Sequence, residues 1–211
     1  MTRERRDENG FTLIELLLAI SILAVITVPL ANVFFAYMRG ADDTTARLSE
    51  SHDLQIASAY WAGDVASIGT RSTTSPYALT QSVETGVAYN SGLYPCGAAG
   101  TPNAIVRLAF DDFSAPDTRT LVRIAYVVQS VSGKTELHRL RCQGSAAVIS
   151  DITLAHDLDP STPPALTCSS TCTGTAALLV PMTVTLTLSL KDPKNQGAAW
   201  SASLTGQRRQ S

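Results

Sequence analysis

A long uncharged stretch near the N-terminus constrains this chain more than any other feature. Between Glu15 and Arg39 the sequence contains no charged residue, and most of its side chains are aliphatic or aromatic. About 20 apolar residues are enough for a helix to cross a hydrocarbon core of about 30 Å. The stretch therefore predicts a membrane-spanning helix that carries one acid, Glu15, at its beginning.

Two ordinary explanations of this stretch fit the residues less well. A secretory signal peptide is cut after its apolar region, next to small residues. Here a short charged leader ends at Gly10, before the apolar region begins. A plain membrane anchor leaves Glu15 unexplained, because an ionised acid inside a membrane span is costly and usually functional.

Gly10, Phe11, Glu15 and the apolar run behind them resemble the prepilin signal of the type IV pilin family, which includes minor pilins and the pseudopilins of secretion systems. The resemblance implies that a prepilin peptidase cuts between Gly10 and Phe11 and that the new N-terminal Phe11 is N-methylated. A glycine suits the position before the cut, because it has no side chain to obstruct the protease. The resemblance also implies that Glu15 pairs with the Phe11 amine of a neighbouring subunit, since a buried acid needs a partner.

The same resemblance implies partners and a location. The expected partners are the prepilin peptidase, other pilin or pseudopilin subunits, the inner-membrane assembly platform and membrane lipid. The chain would cross the inner membrane once before assembly and lie in an extracellular or periplasmic filament afterwards. A net charge of −2 gives no electrostatic reason to expect nucleic acid as a partner.

The rest of the chain predicts an α+β fold in which a long N-terminal helix packs on an antiparallel β-sheet. The predicted order is leader peptide 1–10, membrane and assembly helix 11–38, amphipathic helix continuation 39–70, variable loop 71–103 and antiparallel sheet domain 104–211. Pro29 predicts a kink or a loosened turn in the helix, because proline lacks an N–H. An apolar stripe at helical spacing is predicted to face the sheet. It comprises Leu48, Leu54, Ala57, Trp61, Val65 and Ile68.

Alternating apolar residues predict the strands. The expected strands span residues 105–110, 121–129, 135–142, 146–155, 178–190 and 199–204, with a hairpin turn at Ser132–Lys134. The clearest alternation places Val184, Leu186, Leu188 and Leu190 on the inner face. The hairpin, with Tyr126-Val-Val, Leu137-His-Arg-Leu-Arg and Val148-Ile-Ser-Asp-Ile152, resembles the larger minor pilins and pseudopilins of the PilW and GspJ type.

Four cysteines follow the anchor and are therefore expected outside the cytoplasm, where disulfides persist. Of the three possible pairings, we favour Cys96–Cys142 and Cys168–Cys172, because the second pair would close a short turn. A four-thiolate zinc site and free thiols remain alternatives, although no C-x-x-C spacing supports zinc.

No sequence motif for catalysis or phosphate binding occurs in the chain. The histidines are scattered, and His156 with Asp157 and Asp159 is interpreted as part of a solvated loop rather than a cation site. Asp111-Asp112 is interpreted as an exposed turn. We therefore expect a structural minor pilin or pseudopilin without catalysis, metal or cofactor. The alternative is an adhesin or a module that binds DNA or a surface through the loop from Ser72 to Pro102, where Tyr77, Tyr89 and Tyr94 could form a contact surface.

Overall fold

The computed structural model describes residues 12–115, 118–172, 180–191 and 200–209, which form one helix and ten strands. The helix α1 spans Leu13–Ser67. The strands are β1 (Thr70–Arg71), β2 (Leu79–Thr80), β3 (Val83–Val87), β4 (Ala104–Ala115), β5 (Thr118–Val131), β6 (Lys134–Gln143), β7 (Val148–Ala155), β8 (Ala165–Cys168), β9 (Thr183–Leu190) and β10 (Trp200–Gln207). The predicted α+β class is confirmed.

The chain divides into two compact units, Met1–Arg47 and Leu48–Ser211. In the first unit α1 remains helical through Pro29, where a kink or loosened turn was predicted. Two hydroxyls in this part bond carbonyls one turn earlier, at 2.8 Å from Ser21 Oγ to Leu17 O and 2.6 Å from Thr27 Oγ1 to Leu23 O. Their polar groups are therefore satisfied inside the helix.

The larger sheet of the second unit has the strand order β3-β4-β5-β6-β7 and is antiparallel throughout. The predicted hairpin is confirmed. Val131 pairs with Lys134, so Ser132 and Gly133 alone form the loop between β5 and β6. Both have positive φ, 51° and 82°, which is the backbone geometry of a two-residue turn that matches the twist of its strands.

A second sheet has the order β10-β9-β8, so the strands after residue 104 do not form the one sheet that was expected. Its central strand, β9, alternates as predicted: Val184, Leu186, Leu188 and Leu190 are buried, and the residues between them are half-buried. The indole Nε1 of Trp61 donates to Val184 O at 3.2 Å. The two sheets nevertheless share one core with α1, because β9 contributes its apolar side chains to it.

The apolar stripe of α1 is confirmed except at its first residue. Ala57, Trp61, Val65 and Ile68 are fully buried, and Leu54 packs partly against the same core. Leu48 is instead 66% exposed. It lies before Glu50, whose Oε2 accepts a bond from Trp200 Nε1 of β10 at 3.2 Å. The part of the apolar stripe that packs on the core therefore begins only after Glu50.

The segment 71–103 differs from the expected variable loop, because it contains β2 and β3 and a buried ion pair holds it in place. Arg107 of β4 is fully buried, and its Nη1 lies 3.4 Å from Glu84 Oε2 of β3. Arg107 also donates to the carbonyls of Val87, Ala88, Ser91 and Tyr94. Five acceptors for one guanidinium explain why a polar segment without periodicity is ordered against the sheet.

Asp111 is likewise not part of an exposed turn, because it lies buried within β4. Its Oδ1 lies 2.8 Å from Arg119 Nε, and its Oδ2 accepts the Arg71 N–H at 2.8 Å. An acid with two such partners can be buried inside a strand, because buried polar groups are stable when they are hydrogen-bonded. The sequence interpretation was wrong because these partners lie on other strands.

Candidate assembly site and its supporting domain

Glu15 lies in the first turn of α1 and makes a reciprocal cap with Thr12. Its Oε2 accepts the Thr12 N–H at 3.0 Å and the Thr12 hydroxyl at 2.7 Å, while the Glu15 N–H lies 3.4 Å from Thr12 Oγ1. This is the capping-box arrangement, which satisfies donors at the start of a helix. Glu15 therefore has a partner in its own helix. Both bonds from Thr12 use Oε2, and Oε1 makes no hydrogen bond to a described residue.

The helix that follows Glu15 exposes its apolar side chains. Leu13–Ala41 is long and apolar enough to cross a membrane. Its large hydrophobic side chains, from Leu13 to Met38, are between 45% and 78% exposed. An apolar surface of this extent needs lipid or other protein to cover it.

Two of the predicted site residues, Gly10 and Phe11, lie outside the described residues. The comparison with known families bears on this region. The family model of the prokaryotic N-terminal methylation motif matches residues 5–31. The N-terminal region carries a type IV pilin-like prepilin signal.

The matched range contains Gly10, Phe11 and Glu15 and ends inside the exposed apolar part of α1. The prepilin signal implies processing by a prepilin peptidase and assembly with other pilins. Together with the apolar helix it fits a membrane-anchored pilin, and the motif suggests a structural subunit. No curated protein matches the chain.

The four cysteines of the second unit form the two bonds that the sequence interpretation favoured, Cys96–Cys142 and Cys168–Cys172. The first bond joins the segment after β3 to the end of β6, across 46 residues of chain. Both of its cysteines are buried in a small apolar cluster on the sheet face opposite Trp61 and Tyr126. The disulfide therefore holds the segment after β3 against that face of the sheet.

A buried charge on α1, Asp64, attaches the helix to the larger sheet. Asp64 is 6% exposed and receives both Nε and Nη2 of Arg139 at 2.6 Å. The hydroxyl of Tyr126 donates to the same carboxylate at 2.6 Å. A bidentate arginine and a phenol together satisfy a buried acid. Only the helical spacing of Asp64, three residues after Trp61, could have signalled its position on the packed face.

Burial and the Asp64 carboxylate together determine the pKa directions of Tyr126 and Arg139. Desolvation raises the pKa of Tyr126 well above its usual range, and the nearby Asp64 charge and hydrogen bond raise it further. Burial alone would lower the pKa of Arg139, but the hydrogen bond and charge of Asp64 outweigh it and raise that pKa. The Arg139 guanidinium and the Tyr126 hydroxyl therefore keep their protons inside the fold.

The residues considered for a cation site have other partners. His156 Nδ1 lies 2.8 Å from Asp53 Oδ2, and Asp157 Oδ2 lies 3.0 Å from Lys134 Nζ. Asp159 accepts bonds from Ser161 and Thr162, and these bonds lower the pKa of its carboxyl. Among the described residues, no three His, Cys, Asp or Glu side chains form a group that could hold a metal ion.

The three tyrosines of the segment from Ser72 to Pro102 do not form one surface. Tyr94 is buried, and its hydroxyl lies 2.9 Å from Thr70 Oγ1. Tyr89 is half-buried, whereas Tyr77 is 57% exposed. Binding of DNA or of a surface by this segment stays a prediction.

Proposed function

We propose that this protein is a minor pilin or pseudopilin, a structural subunit that enters a type IV filament or a related secretion filament through α1. The observation that carries the proposal is the match to the methylation motif over residues 5–31. The matched residues include the start of the exposed apolar helix Leu13–Ala41, so the motif and the helix support the same function. An apolar helix alone would fit any anchor, and a motif alone would not explain the exposed surface.

The proposal assigns a role to each residue of the signal. The prepilin peptidase cuts after Gly10, and the amine of Phe11 is then methylated. Glu15 pairs with the Phe11 amine of a neighbouring subunit through Oε1, since Oε2 is already bonded to Thr12. A charge pair inside an apolar bundle fixes the axial register of helices that otherwise slide with little cost.

The same proposal assigns partners and location. Before assembly the subunit crosses the inner membrane once, in contact with lipid and with the assembly platform. After assembly the span lies among the helices of other subunits in a periplasmic or extracellular filament. The second unit, with both disulfides, lies on the outer side of the membrane, where disulfides persist.

The N-terminus of filament-associated protein tests this function. We expect Edman sequencing and intact mass to show a chain that begins at Phe11 and carries one added methyl group. Gly10→Val should block the cut, because a branched side chain obstructs access to the backbone. Asn9→Ala is the matched control and should be processed normally. A chain that begins after Ala19 or later, or normal processing of Gly10→Val, would contradict the proposal.

A further inference from the structure

The edge strand β3 exposes one unpaired stretch of main chain. The Ala109 N–H donates to Ser82 O at 2.9 Å, and in an antiparallel pair alternate residues direct their main-chain groups to the partner and away from it. Glu84 therefore faces β4, whereas Val83 and Thr85 direct their N–H and C=O outward. The side chain of Gln81 covers the Val83 carbonyl at 3.2 Å. No described residue bonds the main chain of Thr85, so within the described part of the chain its donor and acceptor are unpaired at the sheet edge.

Thr85 also lines a cleft of about 640 Å³ in the second unit. The cleft is lined by residues of β3, β4, β5 and β6, by Asn103 and by residues of the segment Leu158–Leu166. The volume lies within the range of about 300–1,000 Å³ of ordinary ligand sites. The apolar lining consists of Ala104, Ile105, Val128, Leu158, Pro160, Pro163, Pro164 and Leu166.

The cleft lining carries one charge, and it belongs to a hydrogen-bonded turn. Its polar lining comprises Thr85, Asn103, Ser130, Thr135 and Asp159. Asp159 is the one charged residue in this lining, and its carboxylate is already occupied. Oδ1 accepts the Ser161 N–H at 2.9 Å and hydroxyl at 2.7 Å, and Oδ2 accepts the Thr162 hydroxyl at 2.9 Å. An anionic ligand would lose its hydration here without gaining a counter-charge, and a cation would meet only a carboxylate that hydrogen bonds of its own turn already stabilise.

We propose that the β3 edge and this cleft bind an extended, uncharged peptide segment of a partner protein. The segment adds as a strand to β3 through the main chain of Thr85, and its alternate side chains enter the cleft. This mode of recognition takes affinity from main-chain hydrogen bonds and specificity from alternate side-chain sites. A lipid tail is a less suitable occupant, because it would leave the Thr85 donor and acceptor unpaired. The inference goes beyond the anchor helix and does not depend on the proposed filament function.

The test uses the full chain in detergent micelles, labelled for NMR. The probe is a heptapeptide with blocked ends that alternates threonine and valine. Two derivatives are N-methylated on alternate residues, so that each loses the donors of one strand edge only. We expect the unmodified peptide to shift the Thr85 amide and the Ile105 and Leu166 methyl signals. One derivative should bind at least about tenfold more weakly, and the other should bind like the parent.

Equal binding of both derivatives would overturn the proposal. Adsorption to an apolar surface would not depend on which edge of the peptide strand keeps its N–H donors. Absence of binding at millimolar peptide, or shifts confined to residues outside the cleft, would also overturn it. Pro163→Asp places a charge at an exposed position of the cleft wall and should weaken binding at least about tenfold. Ile149→Asp, at a 57% exposed position of β7 outside the lining, is the matched control and should bind normally. Equal loss in both variants would count against the cleft.

Discussion

Two acids on one helix, Glu15 and Asp64, have opposite surroundings. Glu15 begins an apolar helix whose large side chains are exposed, and its only described partner is Thr12 of the same turn. Asp64 lies on the packed face and has partners on two strands of the sheet. An acid whose partners all lie inside its own fold stabilises that fold, whereas an acid with an unused oxygen remains available to another subunit. The comparison therefore separates a residue that stabilises the second unit from one that we propose as an assembly contact.

The largest expected effect follows from removal of Asp64. Asp64→Ala leaves Arg139 buried without its counter-charge, and this should lower the free energy of unfolding by about 3–5 kcal/mol. Asp157→Asn is the control, because the side chains of Asp157 and its partner Lys134 are both about half-exposed. Loss of this pair should lower the free energy of unfolding by about 1 kcal/mol or less. Chemical denaturation of the detergent-solubilised chain measures both. Equal losses in the two variants would show that the buried network does not hold α1 to the sheet.

Removal of the disulfides should distinguish the two loops that they close. The loop-closure relation gives about 4 kcal/mol for the 46-residue separation of Cys96–Cys142 and about 2 kcal/mol for the four-residue separation of Cys168–Cys172. Double alanine variants of each pair should show this order in denaturant titrations. Intact mass without reduction should first show the processed chain about four hydrogens light, two for each of the two bonds. Four alkylatable thiols in exported protein would contradict the pairing.

Glu15→Gln should reduce assembly without loss of the helix. A glutamine at the third helical position keeps the capping acceptor but removes the charge that a neighbouring Phe11 amine would need. We expect the share of processed protein in sheared filaments to fall about tenfold, which corresponds to about 1.4 kcal/mol. Membrane insertion should persist, since it depends on the apolar run.

Thr12→Ala is the matched control for this substitution. It removes the hydroxyl bond to Oε2 and keeps the carboxylate, so incorporation should remain near the wild-type level. If Thr12→Ala lowers incorporation as much as Glu15→Gln, the effect belongs to the helix cap and not to the charge. If neither variant lowers incorporation, Glu15 is not an assembly contact.

The smallest effect concerns Asp159, which lies in a turn and not in a core. Hydrogen bonds from the Ser161 side chain and N–H and from Thr162 lower the pKa of its carboxyl. Its contribution to stability is therefore present above the unfolded pKa of about 3.9 and is lost as the pH falls through the folded pKa. Asp159→Asn should remove this dependence, so the variant should be slightly less stable than the wild type at neutral pH and should approach it as the pH falls through the folded pKa. An unchanged acid limb in the variant would refute this role.

Local patterns were sufficient for the long helix, for six of the ten strands and for the prepilin signal. The uncharged run after Glu15 identified the exposed apolar helix, because length and polarity alone decide whether a helix can cross a membrane. The alternation around Leu186 and Leu188 identified β9, and Ser132-Gly133 identified the hairpin. The prepilin signal around Gly10 and Phe11 is likewise contiguous in the chain, and the family comparison covers it.

Only the tertiary structure decided where the polar groups of the second unit lie. Asp64 bonds Tyr126 and Arg139 across 62 and 75 residues of chain. Arg107 of β4 pairs with Glu84 of the neighbouring strand β3 and thereby orders the segment that precedes β4. Periodicity reports which face of an element is apolar, but a buried charge is stable only if distant partners reach it. The sequence by itself therefore determined the long apolar helix, its prepilin signal and six of the ten strands. The division into two sheets, the buried ion pairs and the free edge of β3 depended on contacts between residues far apart in the chain.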